Sequence, residues 1–571
     1  MSRSTRGTQG HRGDSSAGGL NRSGRITIAF AAVAIVVLVL VGRLVYLQVI
    51  ASDRLSAEAD EARTTSIDIT PRRGTIYDRN GNILATSIDA STVYANPREV
   101  TDAAGTAQAL SDVLGGEVAD YKDLLSKDTT FVYLKRKADE EVANRLREMD
   151  LDGIYFLPDT KRIYPYGSVA GQVIGFVNID DQGISGLELY YNDILAGTPG
   201  KMVMQTGLQG IPIPGGTETS IPAVEGQDII LSIDIEMQRY LEEQLSNGVK
   251  EIGGKDGTAL LMDASTGEMV ACASTPYFNP SDTSVVEEGS TQVKGITNAF
   301  EPGSIFKTVS AMALLEANKI SPDDEVFCPA EIEADGYKVS DAHDRDDQTM
   351  IFREILDQSS NVGISLSIED RLGFAPLYDK ILSYGLNEPT GIDYPGEVGG
   401  YLLPQSKWSH IQSYNVSFGQ GVSVTPLQMV RFYGAIRNDG VAVTPHFLIS
   451  KPQTGEEPEY EKETIIESES ALATMTSMLQ SVVSEGTGKY AAVDGFSAAG
   501  KTGTAEIASD KGGYLEGMYN LDFIGFIPDS TTSLVCFVGV NEVPYERQTA
   551  QVFSDIMTYA VERYKVVPTE E

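Results

Sequence analysis

The feature that most constrains this chain is an uncharged apolar segment near its N-terminus. Residues 26–42 read ITIAFAAVAIVVLVLVG, which is 17 residues without a charge, and Arg25 and Arg43 flank them. As a helix this segment is about 25 Å long, at the short end of the range for crossing a bilayer. The flanking arginines can extend to the polar interface. The pattern continues as an amphipathic helix, so we predict a transmembrane helix over residues 26–48.

The flanking sequence indicates how this helix is oriented and whether it is retained. Residues 1–25 contain five arginines and one aspartate and are rich in glycine and serine. We therefore expect a disordered cytoplasmic tail, with everything after Arg43 on the outer side of the membrane. A cleaved signal peptide is the alternative, but the apolar run is longer than a signal-peptide core, and the nearest A-x-A that follows the run, residues 57–59, lies well beyond its end. These features favour a retained single-pass anchor.

Composition excludes several classes of protein. The 571 residues include 44 basic and 81 acidic ones, a net charge of −37, which argues against nucleic-acid binding because phosphates are bound by Lys and Arg. With 41% apolar and 22% charged residues, most of the chain can build cores. The three cysteines are far apart and the four histidines are scattered. We therefore expect no disulfide framework, no metal site and no cofactor.

Two regions with different patterns follow the anchor. Residues 55–225 alternate short β-type runs with turn signals and end in a Gly/Pro-rich linker over residues 205–225. Residues 226–566 begin with strand and helix patterns, continue through helical stretches near 304–317 and 350–372, and end with three strand candidates. A mixed sheet whose first and last strands bracket a helical middle is an α+β arrangement, which we predict here.

A serine and a lysine three residues apart are the first candidate for chemistry. Ser304-Ile-Phe-Lys307 is the only S-x-x-K of the chain, and it follows Pro302-Gly303 and opens an apolar-periodic helix. This spacing places both side chains on one helix face. A serine hydroxyl is a poor nucleophile until a base, such as a neutral lysine, removes its proton, and a helix N-terminus offers N–H donors to an oxyanion. Alone, the motif is a weak signal, and an ordinary helix start that carries a surface lysine is the favoured interpretation.

Two further motifs lie downstream. Ser359-Ser360-Asn361 is an S-x-N in the helical middle. A second S-x-N, Ser413-Tyr414-Asn415, runs straight into a Gly-rich loop, so we favour the first. Lys501-Thr502-Gly503-Thr504 is the only K-T-G, and it lies among small residues where a ligand backbone can approach closely. The alternative for this stretch is a turn between two strands.

The three motifs in this order are typical of penicillin-binding proteins and class A β-lactamases. The chain resembles the class B penicillin-binding proteins, the monofunctional peptidoglycan transpeptidases, and Glu301 before the Pro-Gly-Ser is more similar to their division and sporulation members. Three stretches resemble the family's non-catalytic pedestal motifs: residues 73–81, 162–165 and 183–188. The resemblance implies an elongated β-rich pedestal over residues 55–225. It also implies a transpeptidase domain over residues 226–566, with an antiparallel sheet and a helical subdomain.

The resemblance implies catalytic roles for four residues. Ser304 would attack the carbonyl between the two terminal D-alanines of a peptidoglycan stem peptide, while Lys307 takes its proton. Ser359 would relay a proton towards the leaving D-alanine. Asn361 would orient Lys307 and the substrate amide.

The K-T-G strand would bind the substrate. The resemblance implies that Lys501, with Thr502, Gly503 and Thr504, holds the terminal carboxylate, and that the backbone N–H groups of Ser304 and Thr504 form the oxyanion hole. The acyl-enzyme would pass to an amine of a neighbouring stem peptide. β-Lactam antibiotics would trap Ser304. A SEDS-family glycosyltransferase and other divisome membrane proteins are the expected partners.

Two other functions remain open at this stage. A D,D-carboxypeptidase or β-lactamase would use the same residues with water as the acceptor, but needs neither a large pedestal nor an anchor. A penicillin sensor or divisome scaffold would have no need of an intact Ser304, Lys307, Asn361 and Lys501.

Several residues outside the motifs allow a structural interpretation. Residues 341–347, Asp-Ala-His-Asp-Arg-Asp-Asp, form either a metal cluster or a solvated acidic loop, and the density of charge favours the loop. The charged residues of the pedestal motifs are interpreted as structural ion-pair residues and not as catalysts: Arg73, Asp78, Arg79 and Glu188. Cys272 and Cys536 lie in apolar strand patterns and are interpreted as core thiols.

Overall fold

The structure is a computed structural model that describes residues 22–52, 54, 64–205, 218–508, 514–544 and 548–569. Most of the predicted tail, residues 1–21, and most of the predicted linker, residues 206–217, lie outside the described residues. By its internal contacts the chain divides into two compact units. The first comprises residues 1–68 with 201–221, and the second comprises residues 69–200 with 222–571.

The first unit contains the predicted anchor. A helix spans Arg22–Val45 and continues as a π-helical turn over Tyr46–Ile50, so it begins four residues before the predicted start. Every side chain from residue 26 to residue 50 is exposed, although the segment is almost wholly apolar. Among the described residues, this helix alone is long and apolar enough to cross a membrane. An apolar surface on all sides suits a lipid environment. The same unit holds a three-stranded sheet of Thr64–Ile69, Gly200–Gln205 and Glu218–Ile221, in that order.

The second unit begins with a sheet that draws on both predicted regions. Its strands are Ile76–Tyr77, Ile83–Ala95, Val132–Asp139, Ile154–Ile163, Ile229–Leu231 and Leu448–Ser450. The accompanying helices are Ala103–Leu114, Val118–Leu125, Glu140–Glu148, Gly171–Ile174, Gly186–Tyr190 and Asn192–Leu195. Ile76–Tyr77 pairs in parallel with Ile229–Leu231. The boundary predicted between residues 225 and 226 therefore lies just before a strand of a shared sheet.

Buried ion pairs hold the pedestal motifs together. Glu188 is fully buried and accepts hydrogen bonds from Arg73 Nε at 2.5 Å and from Arg162 Nε at 2.7 Å. Arg79 forms an ion pair with Glu268, which lies in the region predicted over residues 226–566. A buried carboxylate is tolerated when guanidinium groups neutralise it and satisfy its oxygens. The interpretation of Arg73, Arg79 and Glu188 as structural ion-pair residues is confirmed. Asp78 instead accepts backbone hydrogen bonds from Asn80 N at 2.9 Å and Asn82 N at 2.8 Å.

The region predicted over residues 226–566 is built on one antiparallel sheet. The elements used below are α1 (Ile235–Ile252), β1 (Asp256–Asp263), β2 (Met269–Ser274), α2 (Lys307–Glu316), α3 (Phe352–Asp357), α4 (Asn361–Ser367), α5 (Glu469–Ser484), β3 (Ala499–Ala508), β4 (Tyr514–Phe526), β5 (Leu534–Val543) and α6 (Ala550–Tyr564). The strand order is β2-β1-β5-β4-β3, and each neighbouring pair is antiparallel. The first strands along the chain and the last ones thus meet in one sheet, and the α+β prediction is confirmed.

The segment between β2 and β3 carries the helices and small two-stranded sheets. Its remaining helices are Lys294–Thr297, Phe374–Ser383, His410–Ser417 and Pro426–Arg437. Single helical turns lie at Gly303–Phe306, Ile368–Leu372, Gln405–Lys407 and Lys489–Ala491. Its short strands are Glu325–Cys328, Glu331–Ala334, Tyr337–Ser340, Gln348–Ile351, Tyr401–Leu402, Val422–Ser423, Val441–Val443 and Lys462–Thr464. The single helical stretch predicted near 350–372 is instead broken between α3 and α4.

Both faces of the five-stranded sheet are covered. Successive strand residues point to opposite faces, so Leu261 packs in the cluster that contains α1 and α6, while Leu260 packs in the cluster that contains α2. Cys272 and Cys536 are fully buried and free, and the prediction that they are core thiols is confirmed. The apolar runs of β1 and β5 follow from this double coverage, because neither face meets water.

Candidate active site

Ser304 lies in a tight turn that is pressed against the edge strand β3. The turn Gly303–Phe306 is 3-10 helical, and α2 begins only at Lys307. Gly303 has φ +50°, and a Cβ at this position would lie 2.7 Å from the carbonyl oxygen of Thr504. Glycine is therefore required both by the backbone conformation and by the close approach of the strand. Ser304 itself is partly exposed between buried neighbours, as a nucleophile must be to reach a substrate.

Lys307 is completely buried beneath this serine. Its Nζ lies 2.8 Å from Ser304 Oγ, 2.6 Å from the carbonyl oxygen of Ser359 and 3.1 Å from Ser359 Oγ. Burial lowers the pKa of Lys307 well below its ordinary value, and the nearby charge of Lys501 lowers it further. A neutral amine has two N–H donors and one lone pair. It can therefore donate to both Ser359 oxygens and still accept the hydroxyl proton of Ser304.

The favoured S-x-N forms the break between α3 and α4. Ser359 has φ +57°, a left-handed conformation that is uncommon for a residue other than glycine. This conformation ends α3 and turns both the carbonyl and the hydroxyl of Ser359 towards Lys307. Ser360 Oγ then accepts a hydrogen bond from Gly363 N at 2.9 Å and caps α4.

Asp341, which we predicted to lie in a solvated acidic loop, is largely buried and stabilises this segment. Asp341 accepts hydrogen bonds from Ser360 Oγ at 2.8 Å and from Val362 N at 3.0 Å. It also pairs with Arg345 at 2.6 Å, and the two side chains are only 11% and 15% exposed. The interpretation of residues 341–347 as a solvated loop is therefore wrong for Asp341 and Arg345. The sequence contained no signal for this, since a charged run looks the same whether or not two of its members turn inwards.

Lys501 completes the cluster from the strand side. It is completely buried on β3, and its Nζ donates to Ser359 Oγ at 3.0 Å and to the carbonyl oxygen of Thr502 at 3.1 Å. Burial lowers the pKa of Lys501 to about 7. The titration of Lys501 therefore lies near neutral pH. Ser359 Oγ is therefore shared between two lysines whose charged forms are both disfavoured by burial.

The three residues after Lys501 alternate between the interior and the cleft. Thr502 and Thr504 are partly exposed, and Gly503 is buried. A Cβ on Gly503 would lie 3.0 Å from Cγ2 of Ile305. Glycine at this position therefore allows the turn that carries Ser304 to approach the strand. The K-T-G lies within β3 and is not a turn between strands.

The structure does not give Asn361 the contact that the resemblance implies. Its side-chain Nδ2 donates to the carbonyl oxygen of Ser340 at 2.9 Å, while the hydrogen bonds of Lys307 Nζ go to Ser304 and Ser359. The second S-x-N lies apart from this cluster. Ser413 is within the helix His410–Ser417 and donates to the carbonyl oxygen of Ser409.

This geometry defines a class of enzyme. A serine hydroxyl, a buried lysine of lowered pKa within hydrogen-bond distance, a second serine and a second lysine form one connected network beside an edge strand. Such a network can remove a proton from Ser304 as it attacks a carbonyl carbon and return a proton to the leaving group. Such a network is typical of an acyl-transferring serine enzyme.

Comparison with known proteins identifies the family. Residues 257–558 match the family model of the penicillin-binding protein transpeptidase domain, and residues 68–231 match that of the penicillin-binding protein dimerisation domain. Stage V sporulation protein D of Bacillus subtilis is 33% identical over 89% of this chain and 80% of its own length. Peptidoglycan D,D-transpeptidase FtsI of Escherichia coli is 30% identical over 88% of this chain and 84% of its own length. The crystal structure of penicillin binding protein 3 of Mycobacterium tuberculosis complexed with aztreonam has a TM-score of 0.68 and 28% identity, and covers 88% of this chain and 98% of that chain. The protein belongs to the class B penicillin-binding proteins.

Proposed function

We propose that the protein is a membrane-anchored serine D,D-transpeptidase that cross-links peptidoglycan stem peptides, in septal cell-wall synthesis. The observation that carries this proposal is the hydrogen-bonded cluster of Ser304, Lys307, Ser359 and Lys501. A relative named peptidoglycan D,D-transpeptidase supports the activity, and a relative named stage V sporulation protein D is also similar along most of the chain.

In the acylation step Ser304 Oγ attacks the carbonyl carbon between the two terminal D-alanines. Lys307 takes the hydroxyl proton, and backbone N–H groups of Ser304 and Thr504 stabilise the oxyanion. The proton returns through Ser359, which Lys307 and Lys501 both contact, to the amine of the leaving D-alanine.

The substrate end is held on the strand side of the cleft. Lys501, Thr502, Gly503 and Thr504 are proposed to bind the terminal carboxylate, with the two threonine hydroxyls at the cleft surface. Asn361 is proposed to orient the substrate amide. A β-lactam carries a carboxylate and a strained amide in a similar arrangement, so it acylates Ser304 in the same way.

The acyl-enzyme is then transferred to an amine of a neighbouring stem peptide. A D,D-carboxypeptidase or β-lactamase would transfer it to water with the same residues. The apolar helix and the extensive pedestal favour the synthetic reaction, because they can hold the site beside a membrane-bound source of new wall.

Topology and partners are part of the same proposal. The arginine-rich segment before residue 26 is cytoplasmic, and the pedestal and catalytic domain are outside the membrane. The pedestal, residues 55–225, and the transpeptidase domain, residues 226–566, are proposed as two functional regions. We propose a SEDS-family glycosyltransferase as the partner that supplies the glycan strand, contacted through the anchor and the pedestal.

The experiment is labelling of the full-length protein in detergent with a fluorescent penicillin, followed by mass spectrometry of the modified peptide. The label should lie on Ser304, and Ser304→Ala should not be labelled. Incubation with a stem pentapeptide and an amine acceptor should then yield the cross-linked product in excess of the hydrolysed one. Labelling elsewhere would refute the site, and hydrolysis alone would favour the carboxypeptidase.

A further inference from the structure

A threonine outside the three motifs contacts the carboxylate-binding strand. Thr487 lies in the loop that follows α5, and its Oγ1 is 2.8 Å from Oγ1 of Thr502. Both side chains are partly exposed, so the pair of hydroxyls lies at the surface of the proposed carboxylate subsite. No step described so far uses Thr487.

The loop that carries Thr487 is held tightly to the segment that leads to Ser359. Thr487 N donates to the carbonyl oxygen of Asp357 at 3.0 Å, and Gly488 N donates to that of Val482 at 2.9 Å. A Cβ on Gly486 would lie 2.6 Å from the carbonyl oxygen of Asp357, so this close approach requires glycine. The Thr487 hydroxyl is therefore placed by backbone contacts on both sides.

The hydroxyl of Thr502 has two neighbours that are able to donate to it. Lys501 Nζ lies 3.4 Å from Thr502 Oγ1, and the Thr487 hydroxyl lies 2.8 Å away. A hydroxyl has one donor hydrogen and two acceptor lone pairs. When Lys501 and Thr487 both donate, the lone pairs of Thr502 are occupied and its own hydrogen is directed into the cleft.

A carboxylate can only accept hydrogen bonds. A bound carboxylate therefore favours the arrangement in which the Thr502 hydroxyl donates its hydrogen into the cleft. If Thr502 instead donated to Thr487, the Thr502 hydrogen would not be available to the substrate carboxylate. We propose that Thr487 is a positioning residue for the substrate carboxylate, whose hydroxyl donates to Thr502 and aims the Thr502 hydrogen at the carboxylate. This inference rests on the proposed function, since it assigns the partner of the proposed carboxylate subsite.

The test compares acylation by benzylpenicillin, which has a free carboxylate, with acylation by its methyl ester, which does not. Thr487→Val removes the hydroxyl and keeps the branched shape, whereas Thr487→Ser keeps the hydroxyl. Second-order rates are followed by intact-protein mass spectrometry on full-length protein, over hours for the ester. Thr266→Val, which removes an exposed hydroxyl from the turn between β1 and β2, is the control.

For benzylpenicillin, Thr487→Val should acylate about fivefold to tenfold more slowly than the wild type, the effect of one hydrogen bond to an anion site. For the ester, the rate should change less than about twofold, because the missing carboxylate removes the benefit of orientation. Thr487→Ser should restore most of the benzylpenicillin rate, and Thr266→Val should resemble the wild type. Thr487→Ala gives the same comparison if the valine variant does not fold.

Equal slowing with both compounds would show that Thr487 only supports the fold, and would overturn the inference. An unchanged benzylpenicillin rate in Thr487→Val, or a serine variant as slow as the valine variant, would overturn it as well. If the wild type itself is not acylated by benzylpenicillin, the proposed function fails first, and the inference fails with it.

Discussion

Replacing Lys307 with methionine removes the proposed base and leaves the shape of the buried site nearly unchanged. Lys307 is 0% exposed, and methionine is unbranched, flexible and apolar, so it can fill the same channel. The change removes the amine that lies 2.8 Å from Ser304 Oγ and can accept its proton. It also leaves the carbonyl oxygen of Ser359 without its 2.6 Å donor.

The size of the effect follows from these contacts. A positioned general base contributes about 10²- to 10⁴-fold to a rate, so the second-order acylation rate of Lys307→Met should fall by that factor. This corresponds to about 3 to 5 kcal/mol of activation free energy. The unpaired Ser359 carbonyl should lower the free energy of unfolding by about 1 to 3 kcal/mol, which a thermal unfolding curve measures separately.

The pH dependence distinguishes the base from a mere packing residue. Acylation requires neutral Lys307 and protonated Lys501, so the rate should rise with pH as Lys307 loses its proton and fall as Lys501 loses its own. Burial lowers the pKa of Lys501 to about 7, and the second-order rate reports the free enzyme, so the alkaline limb should lie near pH 7. In Lys307→Met the acid limb should disappear and the alkaline limb should remain.

The assay is acylation by a fluorescent penicillin under second-order conditions across pH, with Ser304→Ala as the blank. Lys307→Arg is a second test, because an arginine stays protonated and cannot act as a base. If Lys307→Met acylates within tenfold of the wild type, or retains the acid limb, Lys307 is not the base and the mechanism is wrong.

Three further results are expected. Protease added to intact spheroplasts should digest the protein after Arg43 and spare the tail, whereas a protected C-terminal half would contradict the topology. Replacing residues 26–50 with an unrelated transmembrane helix should weaken co-purification with a SEDS glycosyltransferase and preserve penicillin labelling; equal loss of both would mean that the segment only supports folding. Glu242 accepts hydrogen bonds from the side chain of Gln238 and from Ala170 N. Burial raises the pKa of Glu242 from 4.5 to about 7, so the folded protein favours its protonated form. Protonation of Glu242 therefore stabilises the folded protein. This stabilisation is fully present below about pH 4.5 and is lost as the pH rises to about 7, and it amounts to about 3 kcal/mol in the free energy of unfolding. Glu242→Gln should flatten this part of the pH profile in urea unfolding, and an unchanged profile would exclude Glu242 as the cause.

The chemistry-bearing residues were readable from the sequence because short motifs encode local geometry. Ser304 and Lys307 lie one helical turn apart, so their proximity needs no tertiary information. The apolar segment at residues 26–42 is likewise recognisable from sequence as a candidate membrane-spanning helix, since length and lack of charge are properties of the segment alone. The apolar runs around Cys272 and Cys536 indicated strands covered on both faces, which the structure confirms.

Other features depended on where distant segments meet. Nothing near Ser359 in sequence indicates that it adopts φ +57° and interrupts a stretch that otherwise reads as one helix. The inward turn of Asp341, which is 19 residues from Ser360 in the chain, was equally unreadable, because a charged run looks solvated until its partners are known.

The sequence by itself indicated the apolar N-terminal helix, the α+β class and the residues that we propose as the nucleophile, the base and the carboxylate-binding strand. Only the tertiary structure decided how Ser304, Lys307, Ser359 and Lys501 share hydrogen bonds, and that both lysines are completely buried. The physical reason is that a pKa and a hydrogen bond are set by atoms within a few ångströms. In this site those atoms come from distant segments, since Ser304 and Lys501 are 197 residues apart in the chain. These segments are brought together only when the last strands of the sheet pack beside the first.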